Sequence, residues 1–253
     1  MDLGLRGLSA VVTGSTKGIG RRVAGIFADE GANVAVCSRN GAEVADTVAA
    51  LEATGVRAFG AAVDVADKAA LQAWVAGAAT AFGGLDIVVA NVSALAVGED
   101  EAAWEAGFNI DLMHTVRVVE AAMPWLETSR AASIVAISSV SGRESDFTGY
   151  AYGAYKAALV HYMHTLAVKL APKGIRANTV SPGNTYFDGG IWHQIEAGNP
   201  ELFAQTLAAN PTGRMARPEE IARGVVFLSS PASSFTMGTN LVIDGALTRG
   251  VQL

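Results

Sequence analysis

Short runs rich in valine, isoleucine and alanine alternate along this chain with longer segments in which apolar residues return at helical spacing. The runs predict strands, the longer segments predict amphipathic helices, and their regular alternation predicts an α/β fold. The specific expectation is a Rossmann-type doubly wound parallel sheet of about seven strands with helices on both faces. Strands are expected at residues 10–12, 33–37, 57–63, 87–90, 133–137, 176–180 and 241–243, several of them apolar throughout, as strands covered on both faces are. Helices are expected at 18–30, 43–54, 68–82, 101–126, 152–170 and 218–228, punctuated by Gly31, Gly55, Gly83-Gly84 and Pro172-Lys173-Gly174.

One stretch breaks the rhythm. Residues 184–213 carry Gly189-Gly190, Gly198, Pro200 and Pro211 around Trp192 and Phe203, and are expected to form a partly helical lid over a substrate. No repeat or linker divides the rest, so the 253 residues, 51% of them hydrophobic, are expected to fold as one domain, 1–253.

Composition narrows the function. A net charge of -6 argues against binding to phosphate backbones, so no nucleic-acid partner is expected. The N-terminus lacks a basic segment followed by a long apolar run, and no apolar stretch reaches about 18 residues, so neither secretion nor membrane spanning is expected. Cys37 has no cysteine partner, which fits the reducing cytoplasm. The histidines, His114, His161, His164 and His193, share no ligand spacing with it, and no metal site is expected. His161 and His164 read as surface or interface residues of one helix.

Thr13-Gly14-Ser15-Thr16-Lys17-Gly18-Ile19-Gly20 joins the first strand to the first helix. Glycines there permit a tight turn and close backbone approach, while free N–H groups and the dipole at the helix N-terminus favour a pyrophosphate. The competing reading is a glycine-rich turn packed without a ligand. At the end of the second strand an acidic residue would bond the adenosine ribose hydroxyls, but the chain reads Val36-Cys37-Ser38-Arg39. Arg39 with Lys17 can place two positive charges on a 2′-phosphate and Ser38 adds a neutral donor, so NADP(H) is expected over NAD(H). Otherwise both are ordinary solvated basic residues.

Tyr152 and Lys156 lie four residues apart, on one face of an expected helix. A free phenol, with a pKa of about 10, exchanges protons poorly near neutrality unless a cation stabilises the phenolate, and a lysine suits that task. Ser139 ends the strand at 133–137, where open α/β sheets place their ligand crevice, and its hydroxyl can hold a carbonyl oxygen. Tyr150 and Tyr155 lack a lysine at that spacing and read as packing or pocket-wall residues.

The glycine turn, Asp64-Val65, Asn91, Ser139, Tyr152, Lys156 and Pro182-Gly183 together resemble the motif set of the short-chain dehydrogenase/reductase family, over roughly Gly4 to Gly245. The chain is broadly similar to that family's 3-oxoacyl thioester (acyl-carrier-protein) reductases. The resemblance implies interconversion of a small-molecule carbonyl and alcohol, with Ser139, Tyr152 and Lys156 catalytic, Tyr152 as acid or base and Lys156 also binding the nicotinamide ribose. It further implies Asp64 and Val65 near the adenine, Asn91 near the adenosine ribose, Thr185 near the nicotinamide amide, and a homotetramer assembled through helices 101–126 and 152–170 and the tail 247–253. Alternatively, Asp64 caps the helix beginning near Lys68, and Asn91 simply ends a strand.

Two positions depart from the family pattern. Ala90-Asn91-Val92-Ser93 stands where the family usually reads Asn-Asn-Ala-Gly. Asp111 aligns with the family's catalytic asparagine and is counted as the fourth catalytic residue; an aspartate can hold a proton-relaying water or perturb the charge balance of Lys156. For the substrate, Tyr186, Phe187, Trp192, His193, Arg143 and Glu144 are candidate wall residues. Competing readings are a cofactor-binding sensor or scaffold that has lost its chemistry, and a structural subunit of a hetero-oligomer.

Overall fold

The computed structural model describes residues 2–251. Seven parallel strands form one sheet in the order β3-β2-β1-β4-β5-β6-β7. They are β1 (Ser9–Thr13), β2 (Asn33–Ser38), β3 (Ala58–Ala62), β4 (Ile87–Ala90), β5 (Ser133–Ile137), β6 (Arg176–Pro182) and β7 (Asn240–Ile243). The helices are α1 (Gly18–Asp29), α2 (Gly41–Glu52), α3 (Lys68–Phe82), α4 (Glu101–Ala106), α5 (His114–Leu126), α6 (Ala151–Leu170), α7 (Ile191–Gly198), α8 (Pro200–Ala209) and α9 (Pro218–Ser229). The chain winds outward from β1 in both directions, so the order reverses between β1 and β4, and there a crevice opens at the carboxyl ends of the strands.

The doubly apolar strands explain the layering. Along β1 and β2, Val11, Ala35 and Cys37 face one core with Leu71 and Trp74 of α3, Val118 of α5 and Met163 of α6. Val12, Val34 and Val36 face the other, with Val23 and Phe27 of α1, Val44 and Leu51 of α2 and Val225 of α9. Each large side chain so buried contributes roughly 1.5–3 kcal/mol.

Element ends follow local chemistry. Helix α3 starts where the Asp67 carboxylate accepts from the N–H groups of Ala69 and Ala70, at 2.9 and 3.1 Å, and stops at Gly83, whose φ is 84°. Asp67 is therefore the cap; Asp64 instead accepts from Ala66 N. Most elements match their expected spans to within two residues, but the helix expected over 101–126 is broken. Between α4 and α5 lies a π-helix, Gly107–Met113. Its wider turn brings Asp111 into the interior, and two of its carbonyls take side-chain donors, Asp111 O from the Thr115 hydroxyl and Ile110 O from His114 Nδ1.

The stretch 184–213 contains α7 and α8, and Thr185 bridges in parallel to Ala216, anchoring its root. At the far edge, Arg176 is 5% exposed and its guanidinium donates to the carbonyls of Leu228, Ser229 and Ser230 and to Ser233 Oγ, pinning β6 to the C-terminal end of α9. Arg176→Met strands those buried acceptors at a cost of about 3 kcal/mol. The melting temperature should fall by roughly 10 °C in thermal unfolding. An unchanged value would refute the staple.

Candidate active site

Strand β5 ends at Ile137, and Ser138 and Ser139 follow at the carboxyl edge of the sheet. The next turn folds onto α6, since a Cβ on Gly142 would lie 2.7 Å from the carbonyl carbon of Lys156, and the Ser138 hydroxyl donates to Lys156 O at 2.7 Å. That contact brings Ser139 to the helix bearing Tyr152 and Lys156. All three line one cleft of about 270 Å³, together with Lys17, Gly18, Ile19, Asn91, Pro182, Gly183 and Thr185. The Lys156 ammonium lies 5.5 Å from the centre of the Tyr152 ring.

Lys156 is 2% exposed and Asp111 is fully buried. The ammonium donates to Ile137 O at 3.0 Å and lies 3.1 Å from Asp111 Oδ1, an ion pair close in distance but off the ideal hydrogen-bond line. The other carboxylate oxygen accepts from Ala94 N at 3.1 Å. Asp111 thus faces the Lys156 ammonium, whereas the Asn109 side chain donates to Glu105 O.

Next to this pair, His114 was absent from the expected site. It is fully buried, with Nδ1 2.9 Å from Ile110 O and Nε2 2.9 Å from Thr13 Oγ1. Burial, with Lys156 nearby, pushes its pKa down from the usual 6.5 to about 4, so the ring is neutral. Nδ1 then carries the proton and Nε2 accepts from Thr13. Thr13 Oγ1 accepts in turn from Asn91 N, and the Asn91 amide donates to Thr13 O and Gly14 O. Asn91 therefore fastens the glycine turn and lines the cleft holding Tyr152. Only the His114 position four residues after Ile110, beside Asp111, hinted at this role.

The glycine turn suits a dinucleotide. Gly14 has a φ of +62°, and a Cβ there would lie 2.8 Å from Val92 Cγ2, so only glycine fits. Helix α1 has no side-chain cap and no acidic residue in its first turn, leaving its N–H groups to an anion. A second cavity of about 330 Å³ lies beyond, lined by Gly14, Ser38, Arg39, Val63, Asp64, Val65, Val92 and Ser93. With the inner cleft it offers a place for each half of a dinucleotide.

Three side chains of this turn are engaged within the protein. Ser15 is wholly committed inside the protein: its hydroxyl donates to Val12 O and accepts from Cys37 N, and its N–H donates to Cys37 O. Thr16 donates to Glu43, and Lys17 forms a 2.8 Å ion pair with the same carboxylate. Lys17 and Arg39 consequently do not converge, since Arg39 lines the outer cavity and Lys17 the inner one. Glu43, whose acidity Lys17 strengthens by hydrogen bonding, was missed because nothing in the sequence links it to a turn 26 residues earlier. Ser38 keeps a place in the outer cavity while its hydroxyl braces the turn at Asn40.

Among the wall candidates, Phe187 and Trp192 line the inner cleft. Tyr186 donates to Glu196, and His193 accepts from Gly189 N. Glu144 is taken by the backbone N–H groups of Arg249 and Gly250, and Arg143 lines neither cavity. Tyr155 stacks edge-on against Trp104 at 5.7 Å, as a packing residue would. His161 and His164 are exposed. Among the described residues no helix is long and apolar enough to cross a membrane.

A parallel sheet with this strand order, a glycine turn at its switch point and a Ser-Tyr-Lys cluster at its carboxyl edge define a nucleotide-dependent redox fold. The family described as enoyl-(acyl carrier protein) reductase matches residues 14–248. Isoepoxydon dehydrogenase of Penicillium expansum is 40% identical over 100% of this chain and 99% of its own. L-sorbose reductase of Gluconobacter frateurii, complexed with NADPH and L-sorbose, superposes with a TM-score of 0.89 at 29% identity, covering 99% of this chain and 100% of that one. A 7α-hydroxysteroid dehydrogenase complexed with NADH and 7-oxo glycochenodeoxycholic acid gives 0.89 at 27% identity, over 97% and 96%. The chain belongs to the short-chain dehydrogenase/reductase family and is an oxidoreductase of the carbonyl–alcohol kind.

The buried histidine carries a prediction. The unfolded chain takes up a proton near pH 6.5 and the folded one only near 4, so its contribution is fully present above 6.5 and is lost as the pH falls through that window. The loss reaches on the order of 3 kcal/mol. Denaturant unfolding between pH 7 and 4 should show it, with a shallower slope in His114→Gln; identical slopes would refute it.

Proposed function

We propose that this protein is an NADP(H)-dependent oxidoreductase that interconverts a carbonyl and an alcohol, with Tyr152 as general acid or base. The observation that carries the proposal is the convergence of Ser139, Tyr152 and the buried Lys156 on one cleft beside the glycine turn. A bound nicotinamide cofactor supplies or accepts the hydride. Ser139 and Tyr152 offer hydroxyl protons to the substrate oxygen; Tyr152 delivers its own in reduction and takes one back in oxidation. Lys156 donates to Ile137 O and is paired in charge with Asp111, which leaves ammonium protons free for Tyr152 or a cofactor ribose. Asp111 fixes the ammonium and adds a negative charge that the usual asparagine lacks.

Gly14, Gly18, Ile19 and Gly20 give the turn its backbone cradle, Asp64 and Val65 line the adenine end, and Pro182, Gly183 and Thr185 line the nicotinamide end. The preference for NADP(H) rests on Arg39 and on the neutral Ser38 at the tip of β2, without help from Lys17. The relatives bound to NADPH and to NADH are compatible with either cofactor. The chain reads as one domain in which residues 184–213 close over the substrate: the Phe187 ring lies against Gly18 and Trp192 against the cleft. A cytoplasmic homotetramer fits the single buried cysteine and the exposed Trp104 and Phe108 beside Tyr155. Of the tail 247–253 expected to join that contact, residues 252 and 253 lie outside the described residues.

Titration with NADPH and NADH, followed by a carbonyl and alcohol panel read at the nicotinamide absorbance, tests the reading. Tighter NADPH binding with turnover is expected. Tyr152→Phe should lower turnover by at least about a hundredfold while still binding NADPH. Binding without any turnover would favour a cofactor sensor instead. Asp111→Asn removes the anion paired with Lys156, so the pH–turnover profile for alcohol oxidation should move to lower pH. A superimposable profile would deprive Asp111 of a role in the chemistry.

A further inference from the structure

Next to Tyr152 lies a smaller cavity of about 180 Å³, well under the roughly 300–1,000 Å³ of clefts that take drug-sized ligands. Its body is apolar, formed by Leu95, Val97, Val140, Ile191, Trp192 and Ile195. Phe147 meets Trp192 edge-on at 6.3 Å, so two aromatic rings, one from the loop before α6 and one from α7, stand together in its wall. Ser139 and Tyr152 face both this cavity and the inner cleft, whereas Ser141, Asp146, Thr148 and Asn184 line only the smaller one.

The hydroxyl protons of that second group are already spent. Ser141 donates to Asp146 Oδ2 at 2.7 Å. Thr148 Oγ1 lies 2.6 Å from Asp146 Oδ1 and 2.9 Å from Ser141 Oγ, so its single proton stays inside the cluster either way. Thr148 N also donates to Asp146 Oδ1, at 2.8 Å. What this wall offers a ligand is therefore lone pairs, on Asp146 and Ser141. Asn184, carrying both donors and acceptors, does not change that sign. At rest Ser139 donates to Ser141 Oγ at 3.2 Å. When Ser139 turns its proton to a substrate carbonyl, Ser141 loses a donor that the substrate must replace. Among the described residues lining this cavity, Asp146 carries the only charge.

We propose that this cavity selects a small, neutral carbonyl compound with an apolar body and a hydroxyl on the side away from the carbonyl, and that Asp146 determines this specificity. The proposal rests on the oxidoreductase reading above. The carbonyl takes the protons of Ser139 and Tyr152, and the hydroxyl gives its proton to the Asp146–Ser141 wall. A ketone without the hydroxyl leaves the lone pairs of the exposed Asp146 and the half-buried Ser141 to water and forgoes the charge-assisted hydrogen bond that the hydroxyketone makes. A carboxylate in the hydroxyl's place meets the charge of Asp146.

The test compares cyclohexanone, hydroxycyclohexanone with its hydroxyl opposite the carbonyl, and the same ring bearing a carboxylate there, all with NADPH. The hydroxyketone should exceed the plain ketone in kcat/KM by at least about tenfold, with the carboxylate poorest. In Asp146→Asn the carboxylate should gain on the plain ketone, and in Asp146→Ala the hydroxyketone's advantage should collapse. Each ratio is taken within one preparation, so partial loss of folded protein cancels. Equal rates in the wild type, or an advantage unmoved by either substitution, would overturn the proposal. Calorimetric titration of the NADPH complex with the corresponding diol separates it from the broader reading. Binding that weakens about tenfold in Asp146→Ala supports it even if no compound turns over, and binding indifferent to Asp146 overturns it.

Discussion

A lysine ammonium that is 2% exposed has to be neutralised within the protein, and much of the site's arrangement depends on how that is done. Lys156 belongs to α6, its carbonyl partner Ile137 to the end of β5, and its counter-ion Asp111 to the π-helix. A buried charge tolerates little displacement of its partners, so the three elements are held in one geometry. Tyr152, one turn before Lys156 on the same helix, and Ser139, two residues beyond Ile137, inherit their positions from it. Removing either member of such a pair leaves an uncompensated charge, at a typical cost of about 3–5 kcal/mol.

The pair does not stand alone. Asp111 also receives Ala94 N, while the neighbouring His114 leads through Thr13 to Asn91 and the carbonyl of Gly14. The lysine site and the glycine turn, far apart in sequence, thus share one buried polar region whose members must all be satisfied in a low dielectric. A neutral His114 suits that setting, because a second buried cation beside Lys156 would repel it. The Lys17–Glu43 pair at the rim is different in kind. Lys17 is 64% exposed there, and such pairs contribute little to stability. Its effect is to draw Lys17 away from the outer cavity.

Around this fixed centre, the parts that meet the substrate come from loops. Ser141, Asp146, Phe147 and Thr148 lie between β5 and α6, and Trp192 and Ile195 lie on α7. The segment 139–150 is folded mainly by its own hydroxyls and the Asp146 carboxylate, so it can change composition without disturbing the strands beneath. Structures complexed with a sugar and with a steroid derivative share the frame at TM-scores of 0.89.

Much of this was legible in the sequence. Strand and helix periodicity located the sheet, because burial on both faces demands uninterrupted apolar strands, and β4, β5 and α3 ended at the residues expected. The spacing from Tyr152 to Lys156, and Ser139 at a strand end, placed three side chains on one cleft because helical pitch and sheet polarity are local rules. Tertiary structure alone decided the rest. The π-helix within 101–126, the meeting of Lys17 with Glu43, the inward commitment of Ser15 and the burial of His114 against Thr13 all join residues whose sequence separation carries no periodic signal. Local sequence sets which conformations are cheap, while the partners a buried charge or hydroxyl finds depend on which elements the completed sheet brings together.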